Sequence, residues 1–426
     1  MPRFTTLTLS VVAFSACSQE PLTPPRPVAD RQAPASYEML DLGDLSAFGD
    51  GDRIVKLSDR GEIAGSRLSF TTFAYRSFFW DAGGLRDLGT LGGNGAMVAA
   101  LNNRGQVVGQ SQTTDGATHA FLWQDGQMRD LGTLGGASSA ATALNNQGQV
   151  VGYSQTAGGA THAFVWENGQ MRDLGTIPGG DRSSASAINE RGQIVGSSNV
   201  PRYSSWGAQW THAALWDAGT VTDLGALYYV DAAGTPGAIE SAGASDINER
   251  GDVVGHSSVP WAPYRIAYRA FLWQDGVMHD LGTLPDPNVH GSDVVRINNA
   301  GQIAGRSFRE DYSDPVAGVT WRRDAMEVLP SLDAGSPSGY WMVPTDLNAM
   351  GHIVGYGFLA DRRTQHAFVW EDGSSQDLGS LAGSSYAHAV NTSGDIAGLS
   401  DASGGGQHLV LWRRAGTPLA AHQASP

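Results

Sequence analysis

Cysteine and lysine are almost missing from this chain of 426 residues, which has one of each, Cys17 and Lys56. A single cysteine excludes an intramolecular disulfide framework. Only 16% of residues are charged, and 42 acidic against 27 basic side chains leave a net charge of −15. That balance excludes the basic field that nucleic acid or an anionic membrane surface requires of a partner. No stretch beyond the N-terminus approaches the ~20 apolar residues of a membrane-spanning helix. Glycine, by contrast, is abundant at 56 residues in a composition that is 41% hydrophobic. Many short strands joined by turns suit this composition better than long helices do.

Residues 1–16 read as a secretory signal peptide, with a basic Arg3 and an apolar run from Leu7 to Ala16 that is too short to span a bilayer. Phe14-Ser15-Ala16-Cys17 resembles the lipobox of bacterial lipoproteins, with Phe14 in place of the usual aliphatic residue. The resemblance implies lipidation of Cys17 as the mature N-terminus. Conventional cleavage after Ala16 is the alternative, and it puts the bulky Phe14 where a small residue is preferred. Residues 17–37, rich in proline and polar side chains, read as a flexible tether, and residues 414–426 as a disordered tail. The expected location is the cell envelope, lipid-anchored at the outer membrane or cell surface, or the medium if the signal is cleaved conventionally.

Between these ends the chain repeats itself. Trp80, Trp123, Trp166, Trp216, Trp273, Trp321, Trp370 and Trp412 mark eight copies of one position. A second marker, an apolar residue followed by Asn and then Gly three residues later, recurs at Asn102, Asn145, Asn189, Asn248, Asn298, Asn348 and Asn391, with Ser58 in the first copy. The clearest unit resolves into four strands, Ala140 to Asn145, Gln149 to Ser154, His162 to Trp166 and Met171 to Gly175. Asn-Gln-Gly and Glu-Asn-Gly between the outer pairs are hairpin signals, because Asn and Gly tolerate positive φ. Periodicity of this length points to propellers, solenoids or arrays. A β-solenoid is the main rival, but its coils are usually shorter and its ends need caps.

The ends of the repeat decide the expectation. An Asp-Leu-Gly strand follows the tryptophans at Asp87, Asp130, Asp173, Asp223, Asp280 and Asp377, yet nothing equivalent follows Trp412. One extra copy, Asp41-Leu42-Gly43, precedes the first unit. The expected fold is therefore all-β, a single eight-bladed β-propeller of four-stranded antiparallel blades over residues 38–413. Its ring is closed by the N-terminal strand 39–43, which completes the C-terminal blade.

Four residues before the tryptophans stand Arg76, His119, His162, His212, Arg269, Ala317, His366 and His408. A row of histidines suggests metal or acid/base chemistry, but the unit with Ala317 also has Val328 in place of the aspartate. Joint loss is the behaviour of a structural pair. Hairpin register puts His119 diagonal to Asp130, His162 to Asp173, His212 to Asp223 and His366 to Asp377, and ring closure adds His408 with Asp41. No metal, cofactor or catalytic residue is assigned. The sequences Asn248 to Asp252 and Asn391 to Asp395 read as turns held by the Asn side chain, since they lack the alternating acidic ligands of a calcium loop.

Insertions fall where the second and third strands join and where successive units join, and these two kinds of loop share one face. Trp206, Trp210, Trp261 and Trp341 lie in them, with Tyr228, Tyr264 and Tyr340. Long loops on a rigid scaffold concentrate binding residues, and exposed rings offer contact area at low entropic cost. The expected activity is binding of a glycan, peptide or protein by a monomer through this face. The alternative is a polysaccharide hydrolase or lyase, drawing on Asp231, Glu240, Asp286, Glu310, Asp311, Asp333, His290 or His388. Packing of the rings against one another is the third possibility.

The pattern of His-Ala-Phe-apolar-Trp, Asp-Leu-Gly-Thr-Leu-Gly-Gly and Leu-Asn-Asn-x-Gly-Gln-Val-Val-Gly resembles the bacterial extracellular HAF-repeat family over nearly all of the chain after residue 38. The resemblance implies export and a repeat fold, and brings no activity with it.

Overall fold

The computed structural model describes residues 36–51, 53–203, 209–228, 241–262, 265–309, 317–322, 325–333 and 341–415. The signal peptide, Cys17, most of the tether and most of the tail lie outside them. The described residues are all-β, with one 3-10 turn at Ser46–Phe48. They form eight four-stranded antiparallel groups, of which the second and third are joined by one parallel bridge between Thr118 and Ser138. The groups are numbered here by their marker tryptophans. Unit three, for example, comprises Gly135–Leu144, Val150–Thr156, Thr161–Glu167 and Gln170–Gly175.

The first strand of that unit starts five residues before the expected Ala140. Its Gly-Gly pair belongs to the strand, because a Cβ on Gly136 would sit 2.5 Å from the Cβ of Gln155. The glycine inside the second strand has a similar cause. The ladder bulges between Ala141 and Ala143 opposite Gly152, where a Cβ would lie 2.0 Å from the carbonyl oxygen of Ala140. Any side chain there would force the bulge open.

Unit eight has three strands of its own, Ser385–Val390, Ile396–Asp401 and Gln407–Arg414. Its fourth is Tyr37–Asp44, paired antiparallel with Gln407–Arg414 so that Met39 faces Trp412 and Asp41 faces Val410. Nδ1 of His408 lies 2.9 Å from the Asp41 carboxylate, a contact across 367 positions. The other histidines make the same contact at 2.8–2.9 Å, His119 with Asp130, His162 with Asp173, His212 with Asp223 and His366 with Asp377. Arg76 and Arg269 reach Asp87 and Asp280 in its place, at 2.5 and 3.7 Å. Each of these seven aspartates repeats one further bond: the glycine two residues on donates its N–H to Oδ1, as Gly132 does to Asp130 at 2.7 Å.

The core is divided among the junctions between units. Eight buried clusters each combine residues of two successive units, and one of them joins Ala397, Leu399, Leu409 and Leu411 of unit eight to Val55, Ile63 and Phe78 of unit one. The marker tryptophans fill these junctions. Trp321 and Trp412 also donate Nε1–H to the carbonyls of Leu281 and Leu378 in the preceding unit, both at 2.9 Å.

The marker asparagines link the same junctions by hydrogen bonds. Oδ1 of Asn102 accepts the N–H groups of Arg104 and Gln106, closing its turn, while its Nδ2 donates to the carbonyl of Asn145 in the next unit. The same donation runs from Asn145 to Asn189, then to Asn248, Asn298, Asn348 and Asn391, and from Asn391 to Ser58 at 3.4 Å. Ser58 has no amide to pass on, and the next residue carries the link instead, with Asp59 exchanging two bonds with Asn103. The series leaves unit two and returns to it.

Candidate functional site

The insertions are less irregular than their length suggests. Two of them prolong strands: Val253–Ala262 pairs with Arg265–Gln274 as far as Ala262 opposite Arg265, and Ile194–Tyr203 with Gln209–Asp217 as far as Tyr203 opposite Gln209. A chain leaving a sheet satisfies its backbone groups most simply by extending the ladder, so Trp210 and Trp261 lie on strands where loops were expected. Trp210 packs onto the core cluster of Ile177 and Val200. Tyr228 is exposed, and Trp341 sets its ring edge-on to Phe358 at 5.2 Å. Trp206, Tyr264 and Tyr340 lie outside the described residues, as does the side chain of Trp261. So do Asp231, Glu240, Glu310 and Asp311. Asp286 accepts the N–H of Asn288 at 2.9 Å, and Asp333 donates its backbone N–H to Oγ of Ser331 at 3.1 Å.

The base of one prolonged hairpin carries His256, whose ring meets Tyr268 edge-on at 5.7 Å. Burial holds this imidazole below its ordinary range, and the Asp293 carboxylate opposes the shift only in part. A folded-state pKa below the unfolded one means that acid favours the unfolded chain. The stability involved is present above about pH 6.5 and is lost as pH falls through the folded value. The melting temperature is therefore expected to drop as pH falls below about 6.5. His256→Gln should flatten part of that drop in a pH series of thermal melts; an unchanged slope would remove His256 from the account.

Trp210, Tyr228 and Trp341 do not line the cavity formed where units seven, eight and one meet. This cavity, of about 730 Å³, is walled by Arg67, Tyr356, Tyr386, His388, Gln365 and Gln407, with Asp50 and Phe70 at one side. The Tyr356 and Tyr386 rings stand edge to face at 5.2 Å. Arg67 is buried, and its guanidinium donates to the carbonyl of Leu45 at 3.4 Å and to Oε1 of Gln407 at 3.2 Å. Gln407 in turn donates to Asp401 at 3.0 Å. Asp50 accepts the N–H of Phe70 at 2.9 Å, which folds the segment after Phe48 back onto unit one.

Of the residues singled out in the sequence, His388 alone lines this cavity. The others were missed, although the repeat holds a signal for them. The residue two beyond the second-strand glycine is a buried serine in most units, and Ser111, Ser154, Ser198, Ser257, Ser307 and Ser400 each accept an N–H from the segment after Asp-Leu-Gly. Unit one has Arg67 there, and unit seven has Gly357 beside Tyr356. The cavity is built from departures from the repeat.

A planar guanidinium, two carboxamides, an imidazole and a carboxylate surround the paired aromatic rings. Neighbouring hydroxyls can satisfy planar polar groups two at a time, while the apolar face of a sugar ring packs on an aromatic one. The volume falls in the range of small-ligand sites.

No protein-family model matches the chain, and no curated protein matches it in sequence. Among solved structures it is similar to the β-propeller domain of the Trilobed protease from Pyrococcus furiosus, at 11% identity and a TM-score of 0.48, covering 78% of this chain and 98% of that one. It is also similar to the Dos1 propeller, at 10% identity and a TM-score of 0.46, covering 89% and 95%. A third is the Pyrococcus horikoshii acylaminoacyl peptidase, at 11% identity and a TM-score of 0.45, covering 83% and 57%.

Proposed function

We propose that this chain is an exported, lipid-anchored HAF-repeat protein, folded as a closed eight-bladed β-propeller, that binds a glycan in the cavity where units seven, eight and one meet. The ring is supported by the pairing of Tyr37–Asp44 with Gln407–Arg414 and by the asparagine series that returns to its start. Export and anchoring rest on the signal peptide and on Cys17, with residues 17–37 holding the propeller away from the membrane. The observation that carries the binding reading is the cavity itself, with Tyr356 and Tyr386 set against Arg67, Gln407 and His388.

A glycan array followed by calorimetry tests it. Wild type is expected to bind a defined set of saccharides, and Tyr386→Ala to weaken that binding about tenfold, the loss of roughly 1.4 kcal/mol of ring contact. Trp210→Ala should leave it unchanged. Binding that depends on Trp210 or Trp261 and ignores Tyr386 would move the site to the insertions. Turnover is a second reading, favoured by Tyr386 and His388, two proton-carrying side chains two residues apart on one strand. New reducing ends or unsaturated products from a bound glycan would establish it.

A further inference from the structure

The first strands of the units converge on a second cavity, of about 330 Å³, lined by Arg296, by the carboxylates of Glu190, Asp246, Glu249 and Asp346, and by apolar residues such as Ile247. The residue two before each turn marker is Ala100, Ala143, Ala187 and Ala389 in four units, and Lys56, Asp246, Arg296 and Asp346 in the other four. A position that needs only a methyl group in half of the copies has no structural demand for charge.

The charges are arranged in a definite way. Nε of Arg296 lies 3.2 Å from Oδ1 of Asp346 and 3.9 Å from Oδ2 of Asp246. Each aspartate is fixed in turn by a backbone N–H of the following unit, Asp346 by Val390 and Asp246 by Ile297, both at 3.0 Å. The guanidinium is thus gripped along one edge. Among the described residues no acceptor bonds its two terminal nitrogens, and 43% of the side chain remains open. Lys56 makes no hydrogen bond or ion pair among the described residues either, and it lies close enough for the charges of Arg296 and Asp346 to act on it.

We propose that Arg296, in the wall of this cavity, together with Lys56 on the first strand of unit one forms a binding site for a small oxyanion, a carboxylate or a phosphate group. A guanidinium held at its Nε edge presents the remaining fork in the geometry that such an anion accepts bidentately. The Lys56 ammonium adds a point charge from unit one. Asp246 and Asp346 act as positioning residues for the fork. Carboxylates nearer the turns do not compete for these donors, since Glu190 and Glu249 accept the N–H groups of Asn146 and Glu190. Burial and the Arg296 charge hold the Lys56 ammonium below its ordinary range, with Asp346 opposing them in part, and a bound anion would relieve that. The site is separate from the cavity at the junction of units seven, eight and one, so either can fail without the other.

Because Lys56 is the only lysine, reductive methylation with formaldehyde, read by peptide mass spectrometry, reports on it alone. A lysine peptide in the same tube gives the reagent rate. At matched ionic strength and anion at about ten times its Kd, phosphate or acetate is expected to slow methylation of Lys56 about tenfold relative to chloride, and Arg296→Gln to abolish the protection. Protection by one anion and not the other identifies the oxyanion. The same anion should raise the melting temperature of wild type and not of Lys56→Met, a readout that stands if the Arg296 variant misfolds. Equal rates in all three salts, or no methylation of Lys56 in chloride, would overturn the proposal.

Discussion

Deletion of residues 37–44 is expected to abolish the fold, and moving the same eight residues to the other end of the chain to restore it. Without them Gln407–Arg414 becomes an open edge carrying Leu409, Val410 and Leu411, all buried in the intact protein. An edge of this kind is a template for association. The deletion also removes Met39, Leu40 and Leu42 from two core clusters, Asp41 from His408, and the Tyr37 hydroxyl from Glu371. In the other units whose turn is described, the third and fourth strands are joined by a two-residue hairpin turn, as at Asn168-Gly169. The ends to be joined are already together, since Ala415 donates its N–H to the carbonyl of Ser36 at 2.8 Å. A permutant starting at residue 45, with Asn-Gly and then residues 37–44 placed after Arg414, should therefore be monomeric by light scattering and retain the near-ultraviolet circular dichroism of wild type. The simple deletion should aggregate or lose that signal. A deletion variant that stays monomeric with a native spectrum would show that the strand is dispensable.

The repeat was legible because each signal is written up to eight times, so that a decayed copy is read from the others. Hairpin register followed from the Gly-containing turns, and the diagonal from His119 to Asp130 followed from the register. The partner of His408 could be named across 367 positions because the missing strand had only one place to go. The cavity at the junction was not legible, for the opposite reason. Arg67 and Gln407 are 340 positions apart, and neither belongs to a motif. Each is a departure from the repeat whose meaning depends on which units become neighbours. Exposed rings in the insertions drew attention through their size, yet Trp210 turns down onto Ile177 and Val200. The prolonged strands were hidden too, because Val-Pro-Trp at residues 259–261 has no alternation from which pairing could be read.

Trp412→Ala is expected to cost about 3–5 kcal/mol, the usual range for truncating a buried aromatic side chain. Trp412 is fully buried between Val354, Val369 and Leu378 of unit seven and Val390, Ile396 and Val410 of its own unit. Its Nε1–H is the donor to the Leu378 carbonyl at 2.9 Å, and losing that bond adds about 1 kcal/mol to the cavity term. The same substitution at the half-buried Trp80 removes less contact and should cost less, about 1–2 kcal/mol. The shape of the transition matters as much as its midpoint. In an open array each unit depends only on its neighbours, so a weakened junction frays locally and unfolding becomes biphasic. If the units close as proposed, no junction is lost without exposing two new edges, and Trp412→Ala should lower the midpoint of a single urea transition with its slope preserved. A biphasic curve would mean that the units unfold as an open chain of modules, and that pairing of Tyr37–Asp44 with Gln407–Arg414 does not make the ring cooperative.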